Sequence, residues 1–176
     1  MTLAMLLTHL PVLQVMGPLA VAPLLVVARW PLLAWGLTAL TGIASFAGAM
    51  LLLSRVLASG AVSYHLGSWP PPWGIEFRLD MMNAFMLVLV SGVGALTFIY
   101  ARKSVALEIA PAAQPLFYTM LLLCFAGLMG VTSTGDAFNL FVFLEIASLS
   151  AYVLVAMGAE RDSRALTAAY TYLVMG

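Results

Sequence analysis

The sequence predicts an all-α integral membrane protein with five transmembrane helices, the start of a sixth, and a short β-hairpin on the outer face. Composition and the placement of charge predict this fold. The 176 residues are 64% hydrophobic and only 8% charged, whereas ordinary soluble domains carry about 25% charged residues. The few charges also cluster between long uncharged runs, so the chain could not cover a water-facing surface.

Five runs are long enough for a helix to cross about 30 Å of hydrocarbon, which takes about 20 residues. They cover residues 1–28, 30–54, 81–101, 109–135 and 137–159, and only the fifth contains a charge, at Glu145. The first run lacks the basic start of a signal peptide and predicts a span. Residues 165–176 would reach only about 18 Å as a helix. We therefore expect an incomplete sixth helix, with a segment missing after Gly176.

The connection at about residues 60–80 predicts the outer hairpin. Apolar residues at 75, 77 and 79 alternate with charged residues at 76, 78 and 80, which is the periodicity of a strand. Prolines at 70–72 and Gly74 supply the turn. Tyr64, Trp69 and Trp73 fit the aromatic belt of a membrane interface. We expect this hairpin to tie helices or neighbouring subunits together.

The distribution of basic residues predicts the orientation in the membrane. With five spans, Arg55 and Arg78 fall on one side. Five basic residues fall on the other side, namely Arg29, Arg102, Lys103, Arg161 and Arg164. Because cytoplasmic loops carry an excess of Lys and Arg, the N-terminus is predicted to lie outside.

Several functional classes are disfavoured. The net charge of +0 leaves no basic patch to neutralise phosphates, so nucleic acid is not a predicted partner. The single cysteine, Cys124, excludes an internal disulfide and a Cys-based metal cage, and we expect it to be a small buried hydrophobe. His9 and His65 have no partner at ligand spacing, so no metal site is predicted. No active site of its own is evident, which leaves open whether the chain is part of an enzyme.

Two carboxylates stand directly before spans. Asp80 precedes the third and Asp136 the fifth. An N-cap carboxylate accepts bonds from free backbone amides and faces the positive end of the helix dipole. We predict this structural role for both, in preference to a functional one.

Glu145 is the candidate functional residue. It lies nine residues after Asp136, about 13.5 Å along a helix, and therefore near the middle of a core whose half-thickness is about 15 Å. A charge at that depth costs roughly 2.5–3.5 kcal/mol on insertion scales. We therefore expect the side chain to be buried and to point into the bundle, toward a partner or water, and to take part in proton transport.

Helical spacing predicts the companions of Glu145. They are Phe138, Phe141, Ser148, Leu149 and Tyr152. No lysine or arginine lies within a predicted span, so a cationic partner would come from outside this chain. The alternative is a hydrogen-bonded glutamate that only joins helices.

The run LFYTMLLLCFAGLMGVTSTGDAFNLFVFLEIASLSAYVLVAMG, residues 116–158, resembles the fourth and fifth helices of a known family. These are the antiporter-like membrane subunits shared by Mrp-type cation/proton antiporters, membrane-bound hydrogenases and respiratory complex I. YHLGSWPPPWGIEFRLD, residues 64–80, resembles their outer hairpin, and ALTAAYTYLVMG, residues 165–176, is similar to the opening of their sixth helix. The segment FNLFVFLEI, together with the hairpin, is most similar to the D-type subunit of Mrp antiporters, with the hydrogenase and complex I branches as alternatives.

The resemblance implies a role for Glu145 and an architecture. Glu145 matches the family's key glutamate of the fifth helix, which pairs with a lysine on the seventh helix to drive proton movement. Full subunits have about fourteen helices built from two inverted five-helix repeats, a design known among transporters. Residues 1–112 then hold the first three helices with the hairpin, and residues 113–176 begin the first repeat.

The resemblance also implies a truncated or split subunit that cannot pump by itself. The implied location is a bacterial-type plasma membrane, crossed several times. The implied partners are other subunits of an antiporter or an NADH:quinone oxidoreductase-like complex, with protons and monovalent cations as the transported species. No cofactor is implied.

Two other functions are weighed beside proton translocation. One is a non-conducting scaffold or assembly subunit of such a complex. The other is a small self-contained transporter that oligomerises to complete its path. The unfinished sixth helix disfavours the latter, because an open helix end within lipid leaves backbone carbonyls unsatisfied.

Overall fold

A computed structural model describes residues 8–28, 30–69 and 73–175. In chain order the elements are α1 (Leu10–Ala28), α2 (Pro31–Ser59), β1 (Val62–His65), β2 (Glu76–Leu79), α3 (Met81–Glu108), α4 (Gln114–Ser133), α5 (Ala137–Ala156) and α6 (Arg164–Met175). Short 3-10 segments follow β1 at Leu66–Ser68 and α5 at Met157–Glu160. The predicted fold class, a helical membrane protein with a small hairpin, is confirmed.

Five of the described helices, α1 to α5, are long and apolar enough to cross a membrane. Each of them falls on one of the five runs predicted to span the membrane. The sixth helix, α6, has 12 residues and is too short to cross. The chain is thus a multi-pass membrane protein.

Two spans continue further than the uncharged runs predict. The helix α2 includes Arg55, and α3 continues to Glu108 through Arg102 and Lys103. Long basic side chains can extend from a helix toward the membrane surface, so a charge does not have to end a helix. The Arg102 guanidinium carbon lies 4.6 Å from the ring centre of Trp35, which holds it beside α2.

The helix α4 lies at the centre of the packing. It contacts α1, α2, α3 and α5, and α2 also packs against α1 and α3. Half of α4 is buried, and its Leu122 and Met129 side chains have no exposed surface. Only 22% of the fifth span, Ala137–Glu160, is buried. The fifth span therefore lies at the rim of the described bundle.

The two strands form the predicted hairpin. They are antiparallel, with Val62 opposite Leu79 and Tyr64 opposite Phe77. Phe77 and Leu79 are fully buried, while Arg78 between them is exposed. The predicted alternation is therefore confirmed, with the apolar side of the strand against the helices. The prolines at 70–72, predicted to form the turn, lie outside the described residues.

The hairpin is attached to the ends of three helices. The Gly135 amide, in the α4–α5 turn, donates a hydrogen bond of 2.9 Å to the Glu76 carbonyl. Next to α1, the His9 ring nitrogen Nδ1 lies 2.8 Å from the Tyr64 hydroxyl. The strand β2 leads directly into α3. The hairpin thus closes the end at which α1, α3 and α5 begin, called the hairpin end below.

Both predicted N-caps are confirmed. The Asp80 carboxylate accepts a hydrogen bond of 2.8 Å from the Asn83 amide in the first turn of α3. The Asp136 carboxylate accepts one of 3.1 Å from the Phe138 amide at the start of α5. These two carboxylates sit where backbone amides need acceptors and where the helix dipole favours a negative charge.

Candidate functional site

Glu145 is the ninth residue of α5 (Ala137–Ala156). Eight residues from the start of the helix correspond to about 12 Å of rise, so the carboxylate stands well inside the length of the span. Its side chain is exposed on the lateral surface of the described bundle.

The prediction that Glu145 is buried and points into the bundle is wrong for the described spans. The helix α5 packs against α4 through the opposite side, where Phe143 and Ala147 are buried. At about 100° per residue, Glu145 lies about 200° around the helix from Phe143. Because a charge in lipid is costly, Glu145 was predicted to be covered by other helices, but the described helices do not cover it.

The companions predicted from helical spacing do share the face of Glu145. Phe138, Phe141 and Leu149 are 74%, 61% and 51% exposed, which makes the face broad and apolar. Tyr152 differs, with 9% exposure, because α6 covers it. The rings of Tyr152 and Tyr172 are 4.8 Å apart in an edge-to-face arrangement. This contact with α6 lies two turns beyond Glu145, away from the hairpin end.

No cation accompanies Glu145 in the described part of the chain. Two ion pairs of the described residues join Arg161 to Glu108 at 3.4 Å and His65 to Glu76 at 3.7 Å, and neither involves Glu145. The basic residues within the described helices lie toward the ends of α2 and α3 and at the start of α6. A charge partner at the depth of Glu145 would have to come from elsewhere.

The histidines and the cysteine play other parts. His9 contacts the Tyr64 hydroxyl and His65 faces Glu76 on the hairpin. Cys124 is only partly buried in α4, which corrects the prediction that it is a buried hydrophobe. Within residues 8–28, 30–69 and 73–175, no group of three or more His, Cys, Asp or Glu side chains could hold a metal ion.

The residues of α4 that contact α5 were not predicted from the sequence. Two glycines of α4, Gly127 and Gly130, are buried directly against Phe143 and Ala147. They lie three residues apart and so share one helix face, and small residues are enriched where membrane helices pack closely. That signal could have been read from the sequence, but its partner helix could not.

No protein-family model matches the chain, whereas curated relatives do. The chain is 39% identical over 171 residues to NADH-quinone oxidoreductase subunit N of Desulforudis audaxviator, covering 96% of the chain and 33% of that protein. It is 35% identical over 164 residues to the D-type subunit of a probable K⁺/H⁺ antiporter of Rhizobium meliloti, covering 86% of the chain and 29% of that protein.

Two solved structures have the same fold. One is the membrane-bound sulfane sulfur reductase, an archaeal respiratory membrane complex, with a TM-score of 0.81 and 26% identity over 94% of this chain and 34% of that one. The other is the Mrp complex from Dietzia sp., with a TM-score of 0.74 and 33% identity over 86% of this chain and 28% of that one. The chain therefore spans about a third of the length of these relatives.

Proposed function

Since the chain belongs to the family of antiporter-like membrane subunits, which includes subunit N of NADH-quinone oxidoreductases and the D-type subunit of cation/proton antiporters, we propose that it takes part in proton translocation through Glu145. The observation that carries the proposal is the position of this single charge. It stands within the fifth span, on a broad apolar face that the described helices leave open. In this proposal the chain works as one subunit of a multisubunit antiporter or a complex I-like assembly.

The open face around Glu145 calls for further helices. A carboxylate facing lipid at this depth costs roughly 2.5–3.5 kcal/mol on insertion scales. The relatives are about three times as long as this chain, so the remainder of such a subunit is large enough to cover the face. We propose that residues 113–176 belong to the first repeat of the family, which those further helices complete, and that residues 1–112 precede it.

The charge partner we propose is the lysine that the family carries on its seventh helix. A basic group within about 4–6 Å stabilises the charged form of a carboxylate. An increase in their separation therefore favours protonation of the carboxylate, and a decrease favours release of the proton. Such a pair lets one acidic side chain exchange protons with a water-filled half-channel. Protons, and monovalent cations in an antiporter, are the transported species in this proposal.

The test is Glu145→Gln in the complete complex, reconstituted in vesicles and assayed for antiport or proton pumping. Glutamine keeps the size and hydrogen-bonding capacity of the side chain but cannot exchange a proton, so we expect transport to fall at least tenfold. Glu108→Gln, which alters an exposed carboxylate at the end of α3, is the matched control and should retain activity. Full transport by Glu145→Gln would remove this residue from the mechanism.

A non-conducting scaffold or assembly subunit is the second candidate, favoured by the same exposed apolar face. In that case Glu145 only makes a hydrogen bond to a neighbouring helix. Glu145→Gln would then leave transport intact, while Glu145→Leu would reduce the yield of assembled complex. Native gel electrophoresis of the two variants, beside the transport assay, separates the two functions.

We also propose a bacterial-type plasma membrane with the N-terminus outside. Among the described residues, Arg102, Lys103, Arg161 and Arg164 lie toward the end opposite the hairpin, with Arg55 and Arg78 toward the hairpin end. Arg29, the fifth basic residue of the predicted cytoplasmic side, lies outside the described residues. Reporter fusions placed after Ser68 and after Ser163 should be active on opposite sides, and an outward-facing Ser163 would reverse the assignment.

A further inference from the structure

We propose that Gly127 and Gly130 of α4 are positioning residues that, through Phe143 and Ala147 of α5, fix the direction in which Glu145 points. The inference rests on the proposed function for the importance of the carboxylate. The positioning itself is a geometric property of the chain and is tested without transport.

The first contact lies at Gly127. A Cβ atom built there would stand 2.8 Å from the Ala147 Cβ and 2.8 Å from the Phe143 carbonyl oxygen. Non-bonded carbon atoms prefer a separation of about 3.5–4.0 Å. Because the atoms met include the backbone of α5, no side-chain rotation could relieve the clash. The two helices therefore approach this closely only because residue 127 has no side chain.

The second contact lies one turn closer to the hairpin end. A Cβ atom built at Gly130 would overlap the Phe143 ring. The ring thus occupies the space that a side chain at position 130 would fill. Phe143 is 5% exposed and Ala147 is 8% exposed, so both are seated in a shallow groove along α4. We call this groove, formed by Gly127 and Gly130, the glycine seat.

The hairpin holds Phe143 from another side. The Phe77 ring, fully buried, lies 6.4 Å from the Phe143 ring between centres. Phe77 also forms a backbone bridge to Thr134 in the α4–α5 turn, and Gly135 in that turn bonds to β2. The start of α5 is thus tied to the hairpin, while its middle is seated on α4.

These contacts determine the rotation of α5 about its own axis. Phe143 and Ala147 are four residues apart and share one face, whereas Glu145 lies midway between them in the sequence and on the opposite face. The side of α5 around Glu145 is itself apolar, with Phe138, Phe141 and Leu149 exposed there. Hydrophobicity alone therefore gives α5 little preference among rotations. The glycine seat supplies that preference and directs Glu145 away from α4.

The test measures the position of residue 145 by double electron–electron resonance on the 176-residue chain in lipid nanodiscs. Spin labels are attached at Glu145→Cys and at Val93→Cys, an exposed site on α3, after Cys124→Ala removes the chain's own thiol. Introducing Gly127→Ala or Gly130→Ala should shift the mean distance by roughly 1–2 Å and broaden its distribution, because α5 must withdraw until the contacts reach normal separations.

Two further variants make the result decisive. Gly36→Ala is the control, since a Cβ there meets no atom within 4 Å, and it should leave the distances unchanged. Gly130→Ala combined with Phe143→Leu makes room for the new methyl group and should restore the original mean distance. If Gly130→Ala alone does not fold but this combination does, the seat is still supported. If neither folds, Gly127→Ala decides.

An unchanged distance distribution in the glycine variants that fold would overturn the inference, and so would failure of the combined variant to restore the distance. The outcome is independent of the transport assay. If Glu145→Gln retains transport while the label moves as expected, the proposed function fails and the seat stands. If instead the label does not move while Glu145→Gln loses transport, the inference about the glycine seat fails and the proposed function stands.

Discussion

Phe77 offers the most direct test of how the hairpin contributes to this fold. Its ring has no exposed surface and lies against Phe143 of α5, so Phe77→Ala deletes a buried ring and leaves a cavity. Such substitutions cost about 3–5 kcal/mol. The hairpin lies at the surface of the bundle and can partly collapse into the space, so we expect the low end, about 3 kcal/mol. That loss is roughly a hundredfold change in the ratio of folded to unfolded protein.

The assay is reversible unfolding of the purified chain in mixed micelles, followed by circular dichroism. Trp73→Ala is the matched control, because this hairpin side chain is 85% exposed and exposed substitutions usually change stability by less than about 0.5 kcal/mol. A loss below about 1 kcal/mol for Phe77→Ala, or equal losses for the two variants, would show that the hairpin rests on the helices without stabilising them.

Three further predictions use the same unfolding assay. Asp80→Ala should cost about 1 kcal/mol, because it removes the N-cap acceptor of α3, and Asp80→Asn should restore most of that loss. Exchanging the two residues of the Glu108–Arg161 pair should change stability by less than about 1 kcal/mol, because both side chains are more than half exposed and exposed pairs contribute little. A larger loss would indicate a buried network. Gly42→Ala should cost roughly 1–3 kcal/mol, because its Cβ would lie 2.5 Å from the Phe98 ring and 3.2 Å from the Ala95 backbone, whereas Gly36→Ala should be neutral.

The sequence was sufficient to predict the elements of this fold. Charges are so costly in hydrocarbon that long runs with few or no charges predict the spans, and the alternation over residues 75–80 predicted β2. Asp80 and Asp136 were correctly predicted as N-caps, because a carboxylate directly before a helix can accept hydrogen bonds from the free backbone amides of its first turn. The ends of α2 and α3 were less predictable, since a helix continues wherever its basic side chains can reach the membrane surface.

The rotation of each span could not be predicted in the same way. In a water-soluble helix the buried side is apolar and the exposed side is polar, so the pattern reveals the packed face. In a membrane both sides are apolar. The packed face of α5 was therefore hidden in its sequence, and the burial of Glu145 was inferred only from the cost of exposing it. The packed face of α5 is the one that contacts Gly127 and Gly130, which lie on another helix, α4.

The structure separates two requirements that a charged side chain within a membrane must meet. Its direction is set inside this chain, by the glycine seat on α4 and by the hairpin that holds Phe143. Its cover and charge partner are not supplied by the described helices, which leave Glu145 exposed. Direction is thus a property of α4, α5 and the hairpin, whereas in our proposal the charge is compensated by the larger assembly. Substitutions in the seat should therefore change where Glu145 points in the isolated chain, and substitutions in the covering helices should change its chemistry without moving it.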